Sequence, residues 1–169
     1  MNKLFLLIPI GLLLMVSAFF SSTEIAFSSA NAVRLKNYKG GSGSIGHLTA
    51  MKILEKYDDY LSTVLIGNNI VNLSASALTT TIAYNLGGSA VAIATAIITV
   101  AILIFGEISP KTLATIHAEK MSLAYSGVIS FLMKVLTPVI FIINKLAMGF
   151  LFLIGVKASD ADTQMTEEE

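Results

Sequence analysis

From Leu4 to Thr23 the chain carries no charged residue, and this run of twenty positions is long enough for one membrane span. Lys3 precedes it, so a secretory signal peptide competes with a retained helix. The apolar region is long for such a signal, and Phe19-Phe20 stands where small residues would be needed, so a retained helix is expected. Tyr60 to Phe105 is again free of charge, too long for one span, and divides at Asn85-Leu86-Gly87-Gly88. The pattern predicts two helices, roughly Leu61 to Tyr84 and Ser89 to Phe105. Between the first and second spans lies a hydrophilic insert, Asn31 to Tyr60, with a flexible turn at Gly40-Gly41-Ser42-Gly43-Ser44. Ile45 to Tyr57 has helical spacing with Leu48, Met51 and Leu54 on one side, as in a cytoplasmic surface helix. Met121 to Val156 is apolar but interrupted by Lys134, Pro138 and Lys145. Two helices lying in the interface and broken at Thr137-Pro138 suit those lysines better than a fourth straight span.

Composition agrees with a bilayer: 54% of the 169 residues are hydrophobic and 13% charged, with a mean hydropathy of +0.77. The predicted class is an all-α membrane protein of three transmembrane helices with amphipathic juxtamembrane helices. The formal net charge is zero, which gives no reason to expect nucleic acid as a partner. There is no Cys, so disulfides and thiolate metal sites are excluded, and the two His, His47 and His117, lack zinc-site spacing. The insert holds Arg34, Lys36, Lys39, Lys52 and Lys56, nearly half of the eleven basic residues, and Lys111 and Lys120 follow the third span. The positive-inside rule then puts the N-terminus outside and Glu107 toward the cytoplasm.

Three places carry polar chemistry inside these spans. Ser17, Ser21 and Glu24 share one helix face, which lipid would not accept, with Ser22 and Thr23 beside them. Either that face points into protein or a wet cavity, or its hydroxyls bond back to their own helix. Gly67-Asn68-Asn69-Ile70-Val71-Asn72 puts three amides in one buried turn, with Asn68 and Asn72 on one face and Asn69 rotated by roughly 100°. They read as interhelical hydrogen-bonding groups or as ion ligands. Phe105-Gly106-Glu107-Ile108-Ser109-Pro110-Lys111 closes the third span. Gly106 eases departure from helical geometry and Pro110 biases Ser109 away from it. Carbonyls freed there beside Glu107 would be hard oxygen ligands, suited to Mg²⁺, Ca²⁺ or Na⁺. The alternative is a helix end emerging at the interface with Glu107 solvated.

Taken together, Phe20-Ser21-Ser22-Thr23-Glu24-Ile25-Ala26, the Asn turn and the Gly-Glu-Ile-Ser-Pro-Lys segment resemble the transmembrane domain of the CNNM/CorC magnesium transporters, also called DUF21. The resemblance covers roughly residues 1 to 157. It implies a homodimer in the plasma (inner) membrane that exports Mg²⁺, with Na⁺ as the coupling ion. It also implies that residues 158–169 are an acidic linker toward a cytoplasmic CBS domain, absent from this chain, through which ATP would act. Carried over by motif, the ion site falls on the Ser17 and Ser21 hydroxyls, an Asn69 side-chain oxygen, the Gly106 carbonyl and the Glu107 carboxylate. Ser22, Thr23, Glu24, Asn68, Asn72, Pro110 and Lys111 form a second set, for Na⁺ or for the packing shell. Thr23 stands where many relatives have Ser, which keeps the hydroxyl.

Mg²⁺ takes about six oxygens near 2.0–2.1 Å and gives up water reluctantly. One carboxylate with neutral oxygens leaves a filled site net positive, weak enough to release its ion. That suits a transporter; a membrane sensor or scaffold that binds Mg²⁺ without moving it is the alternative. An enzyme is not expected, because no nucleophile–base pair or metal–His set accompanies Glu24 and Glu107. Small residues in the second and third spans (Ser74, Ala75, Ser76, Ala77, Ala90, Ala92) permit the close packing a dimer needs.

Overall fold

The computed structural model describes residues 7–30, 35, 45–84 and 90–154, and these are almost entirely helical. Helix α1 is Leu7–Ser29, α2 is Ile45–Leu54, α3 is Tyr57–Tyr84 and α4 is Ala90–Ala101. A π-helical turn, Ile102–Ile108, joins α4 to α5, Ser109–Ile116, and α6 is Ala118–Leu153. Among the described residues there is no strand. The turns expected at Gly40 to Ser44 and Asn85 to Gly88, and the acidic tail, lie outside the described residues.

Among the described residues, four helical stretches are long and apolar enough to cross a membrane: Ile8–Ser29, Tyr57–Tyr84, Val91–Ile116 and Ala118–Phe150. The first three match the spans expected from the charge-free runs. Large apolar side chains stand exposed along all four, among them Leu12, Leu73, Ile97 and Phe131. Such continuous apolar exposure suits lipid and not water.

The core lies where α1, α2, α3 and α6 meet. Phe20, Phe27, Ile53, Tyr60, Val64 and Ile129 are buried there. The Tyr60 ring packs on Phe27 at 4.8 Å, and its hydroxyl donates to the Thr23 carbonyl at 2.7 Å. Phe19 meets Tyr125 of α6 edge-on at 4.9 Å. A side chain at position 67 would run into the Phe20 ring, so Gly67 is what lets α3 approach α1 closely.

Three local expectations are corrected. Residues 121–156 do not form two helices broken at Thr137-Pro138: α6 runs through Pro138 for 36 residues. Pro138 withholds the N–H that the Lys134 carbonyl would accept, and the helix continues through it regardless, as Pro can within apolar helices. On α2 the buried stripe is His47, Ala50 and Ile53, while Leu48 is exposed. Of the expected face, Met51 and Leu54 still pack against the core and Leu48 alone is exposed. The third correction concerns Gly106 to Pro110. The chain stays helical there, and Ser109 keeps α geometry (φ −64°, ψ −44°) despite preceding Pro110. Its N–H donates to the Ile104 carbonyl, five residues back. The register change makes a new helix begin at Ser109, and Pro110 falls in that first turn, where a missing N–H costs least.

Candidate functional site

The polar end of α1 faces inward. Ser17, Ser21, Ser22 and Thr23 are all buried, and their hydroxyls divide between the two uses open to them. Ser22 and Thr23 bond back to the Phe19 carbonyl, at 3.0 and 2.7 Å. Ser17 reaches across to α3, donating to Asn72 Oδ1 at 2.7 Å with Asn68 Oδ1 at 3.3 Å. Ser21 Oγ is buried and has no hydrogen-bond partner among the described residues. An unsatisfied buried hydroxyl is uncommon and calls for an explanation, an ion among them.

Asn72 carries the connection onward. Its amide nitrogen donates to Glu107 Oε1 at 3.2 Å. One amide therefore links α1, α3 and the π-helical turn. Glu107 is half-buried and engaged, not simply solvated at an emerging helix end.

The π-helical turn explains how Glu107 comes here. Its wider ring accommodates an extra residue, and such turns concentrate at functional sites. Gly106 faces α1 so closely that a Cβ there would lie 2.8 Å from Ser17 Oγ and 3.3 Å from Ser17 Cβ. Only Gly permits that approach without displacing Ser17. Pro110 has no N–H to give the Gly106 carbonyl four residues back, so in the shifted register a helical donor to that oxygen would have to come from beyond Pro110.

Of the residues expected in the ion site, Ser17, Gly106 and Glu107 are brought together, with Ser21 one turn along α1. Asn69 is exposed on α3, and Asn68 and Asn72 are the amides turned toward Ser17. Glu24 and Lys111 form a separate ion pair at 3.0 Å, each 36% exposed, tying α1 to α5. Among the described residues no group of three or more His, Cys, Asp or Glu could hold a metal. A cation here would rest on one carboxylate and neutral oxygens, a donor set of the hard-oxygen kind.

The same chain matches the family model described as the cyclin M transmembrane N-terminal domain over residues 8–169. A UPF0053 protein of Haemophilus influenzae is 39% identical over 170 residues, covering 100% of this chain and 40% of the relative. The UPF0053 inner membrane protein YfjD of Escherichia coli is 37% identical over 144 residues, 84% of this chain and 33% of the relative. A Haemophilus influenzae protein named polyamine export protein is 26% identical over 176 residues, 96% of this chain and 40% of the relative. The chain thus spans less than half the length of these relatives. Four long apolar helices and a family match over nearly the whole sequence make it a multi-pass membrane protein that belongs to the cyclin M (CNNM) transmembrane-domain family, the membrane module of the CNNM/CorC proteins.

Proposed function

We propose that this domain transports Mg²⁺ out of the cell, holding the ion among the Ser17 and Ser21 hydroxyls, the Asn72 amide oxygen, the Gly106 carbonyl and the Glu107 carboxylate. The observation that carries the reading is Ser21: a buried hydroxyl with no partner, one turn from a serine already tied to the asparagine that contacts Glu107. Its unmet valence and the single carboxylate fit a hard cation that must also leave. The resemblance assigns the amide ligand to Asn69; the orientation of Asn72 favours the latter. The functional unit is a homodimer, Glu107 faces the cytoplasmic side, and Na⁺ supplies the driving gradient.

The relative named for polyamine export favours a second cargo, an organic polycation. Such a molecule spreads its charges along a flexible chain and needs several separated anionic partners. The tight approach of Gly106 to Ser17 and the one carboxylate present suit a compact ion better. Flux into sealed vesicles containing the purified protein tests both, with Mg²⁺ or spermidine as cargo, with and without a Na⁺ gradient. Mg²⁺ flux that depends on the Na⁺ gradient is expected. Spermidine flux without Mg²⁺ flux would transfer the site to the second cargo. Mg²⁺ binding without flux of either would make the domain a sensor or scaffold.

A further inference from the structure

Away from the ion site, α2, the first turn of α3 and the middle of α6 enclose a cleft of about 360 Å³. Lys52, Lys56 and Lys134 line it together with Ser130 and Thr137. All three lysines are exposed, and none is ion-paired among the described residues. Two acids, Glu55 and Asp59, share the lining and leave it with a net positive charge. Asp59 has its own reason to be there: with Asp58 it sits in the first turn of α3, where a carboxylate complements the helix dipole.

A second groove, of about 430 Å³, opens from the same Asp59 and Thr137 and continues along α6 past Ile140, Phe141 and Met148. Its lining is mostly apolar, and Lys145 Nζ lies 4.6 Å from the centre of the Phe141 ring. The two clefts form one feature with a basic, hydroxyl-bearing end and an apolar end. It lies where the long apolar helix α6 passes the charged segment Glu55, Lys56, Asp58 and Asp59 at the start of α3.

We propose that this cleft binds an anionic phospholipid, its phosphate held by Lys52, Lys56 and Lys134 and its acyl chains lying along Ile140, Phe141 and Met148. Basic pockets between membrane helices are suited to acidic headgroups, and each lysine near such a surface adds to the attraction. The lysine stems cover apolar surface while their amines reach the phosphate. Ser130 adds a hydroxyl donor, while the Thr137 proton is already given to the Met133 carbonyl. A bound lipid would fasten α2 to α6, and it makes no contact with the ion site.

The test is native mass spectrometry of the purified chain equilibrated with equal amounts of phosphatidylglycerol and phosphatidylcholine. The wild type is expected to retain phosphatidylglycerol with about a ten-fold preference, falling to about one in Lys52→Gln/Lys56→Gln/Lys134→Gln. The corresponding triple Arg variant and Lys120→Gln should keep the preference. Glycerol 3-phosphate, offering the phosphate without chains, should not displace the lipid. Equal retention of both lipids by the wild type, or an undiminished preference in the triple Gln variant, overturns the proposal. So does displacement by glycerol 3-phosphate, which would make the cleft a site for free anions. If the triple variant does not fold, Lys134→Gln alone, an exposed side chain without a partner, must reduce the preference for the proposal to stand.

Discussion

Ser17 of α1 and Asn72 of α3 are joined by a 2.7 Å hydrogen bond, and through it the first helix is coupled to Glu107. In this arrangement the amide oxygen of Asn72 is occupied by Ser17 and its nitrogen faces the carboxylate. In the proposed transport reading an arriving cation would exchange these contacts: the amide would turn its oxygen to the ion, and the Ser17 hydroxyl would offer its lone pairs instead of its proton. Among the described residues, Ser21 is the hydroxyl of this group left without a partner.

That exception gives a prediction with two opposite signs. Ser21→Ala removes a buried polar atom that has no partner, and an unsatisfied group of this kind costs roughly 1–3 kcal/mol. Without Mg²⁺ the variant is expected to unfold at a higher temperature than wild type. With Mg²⁺ it should gain less, because one ligand is gone and stabilisation by an ion follows its affinity. Thermal unfolding with and without Mg²⁺ reads both. A variant destabilised in the absence of ion would mean that Ser21 has a structural partner.

Gly106→Ala tests the close approach of the π-helical turn to α1. The added methyl would meet Ser17, so Ser17 must turn and give up Asn72, or the helices must part. Overpacking of this kind typically costs about 1–3 kcal/mol. Lower thermal stability and weaker Mg²⁺ binding are expected together. Adding Ser17→Gly should restore stability but not binding. Recovery of both would show that Ser17 is not a ligand.

The two asparagine assignments separate in the same assay. Asn72→Ala leaves Glu107 without its amide donor, and it is expected to weaken Mg²⁺ binding more than Asn69→Ala does. Losing an assigned ligand, or the group that orients a ligating carboxylate, typically costs roughly 10–100-fold in metal affinity, so the gap should be at least about ten-fold. Calorimetric titration of both variants decides it. A larger loss in Asn69→Ala would restore the assignment made by resemblance and require α3 to turn when the ion binds.

Much of the helical framework was readable because a charge-free run of some twenty residues has few ways to satisfy its backbone other than a helix. Glu24 and Glu107 stood out for the same reason, as charges among apolar neighbours. What could not be read was how helix irregularities are absorbed. Gly106 and Pro110 suggested a break, yet one residue too many was taken up in a π-helical turn, which depends on the room Ser17 leaves. Pro138 suggested a second break, yet α6 runs through it without interruption. On α2, Met51 and Leu54 pack against the core as their spacing suggested, and Leu48 alone is exposed. Sequence spacing set Asn69 apart from Asn68 and Asn72, but the direction each faces is fixed by where α1 packs.

Among the described residues Glu107 is the one carboxylate that contacts the Ser17–Asn72 pair, and its charge should outweigh any single neutral ligand in a partly dehydrated site. Calorimetric titration of Mg²⁺ into wild type and Glu107→Gln therefore tests the central claim most directly. The variant keeps the shape and one oxygen but loses the charge. No Mg²⁺ binding is expected in it at millimolar ion, while Ser17→Ala is expected to bind weakly. Near-normal Mg²⁺ affinity in folded Glu107→Gln would contradict the site and the transport reading built on it.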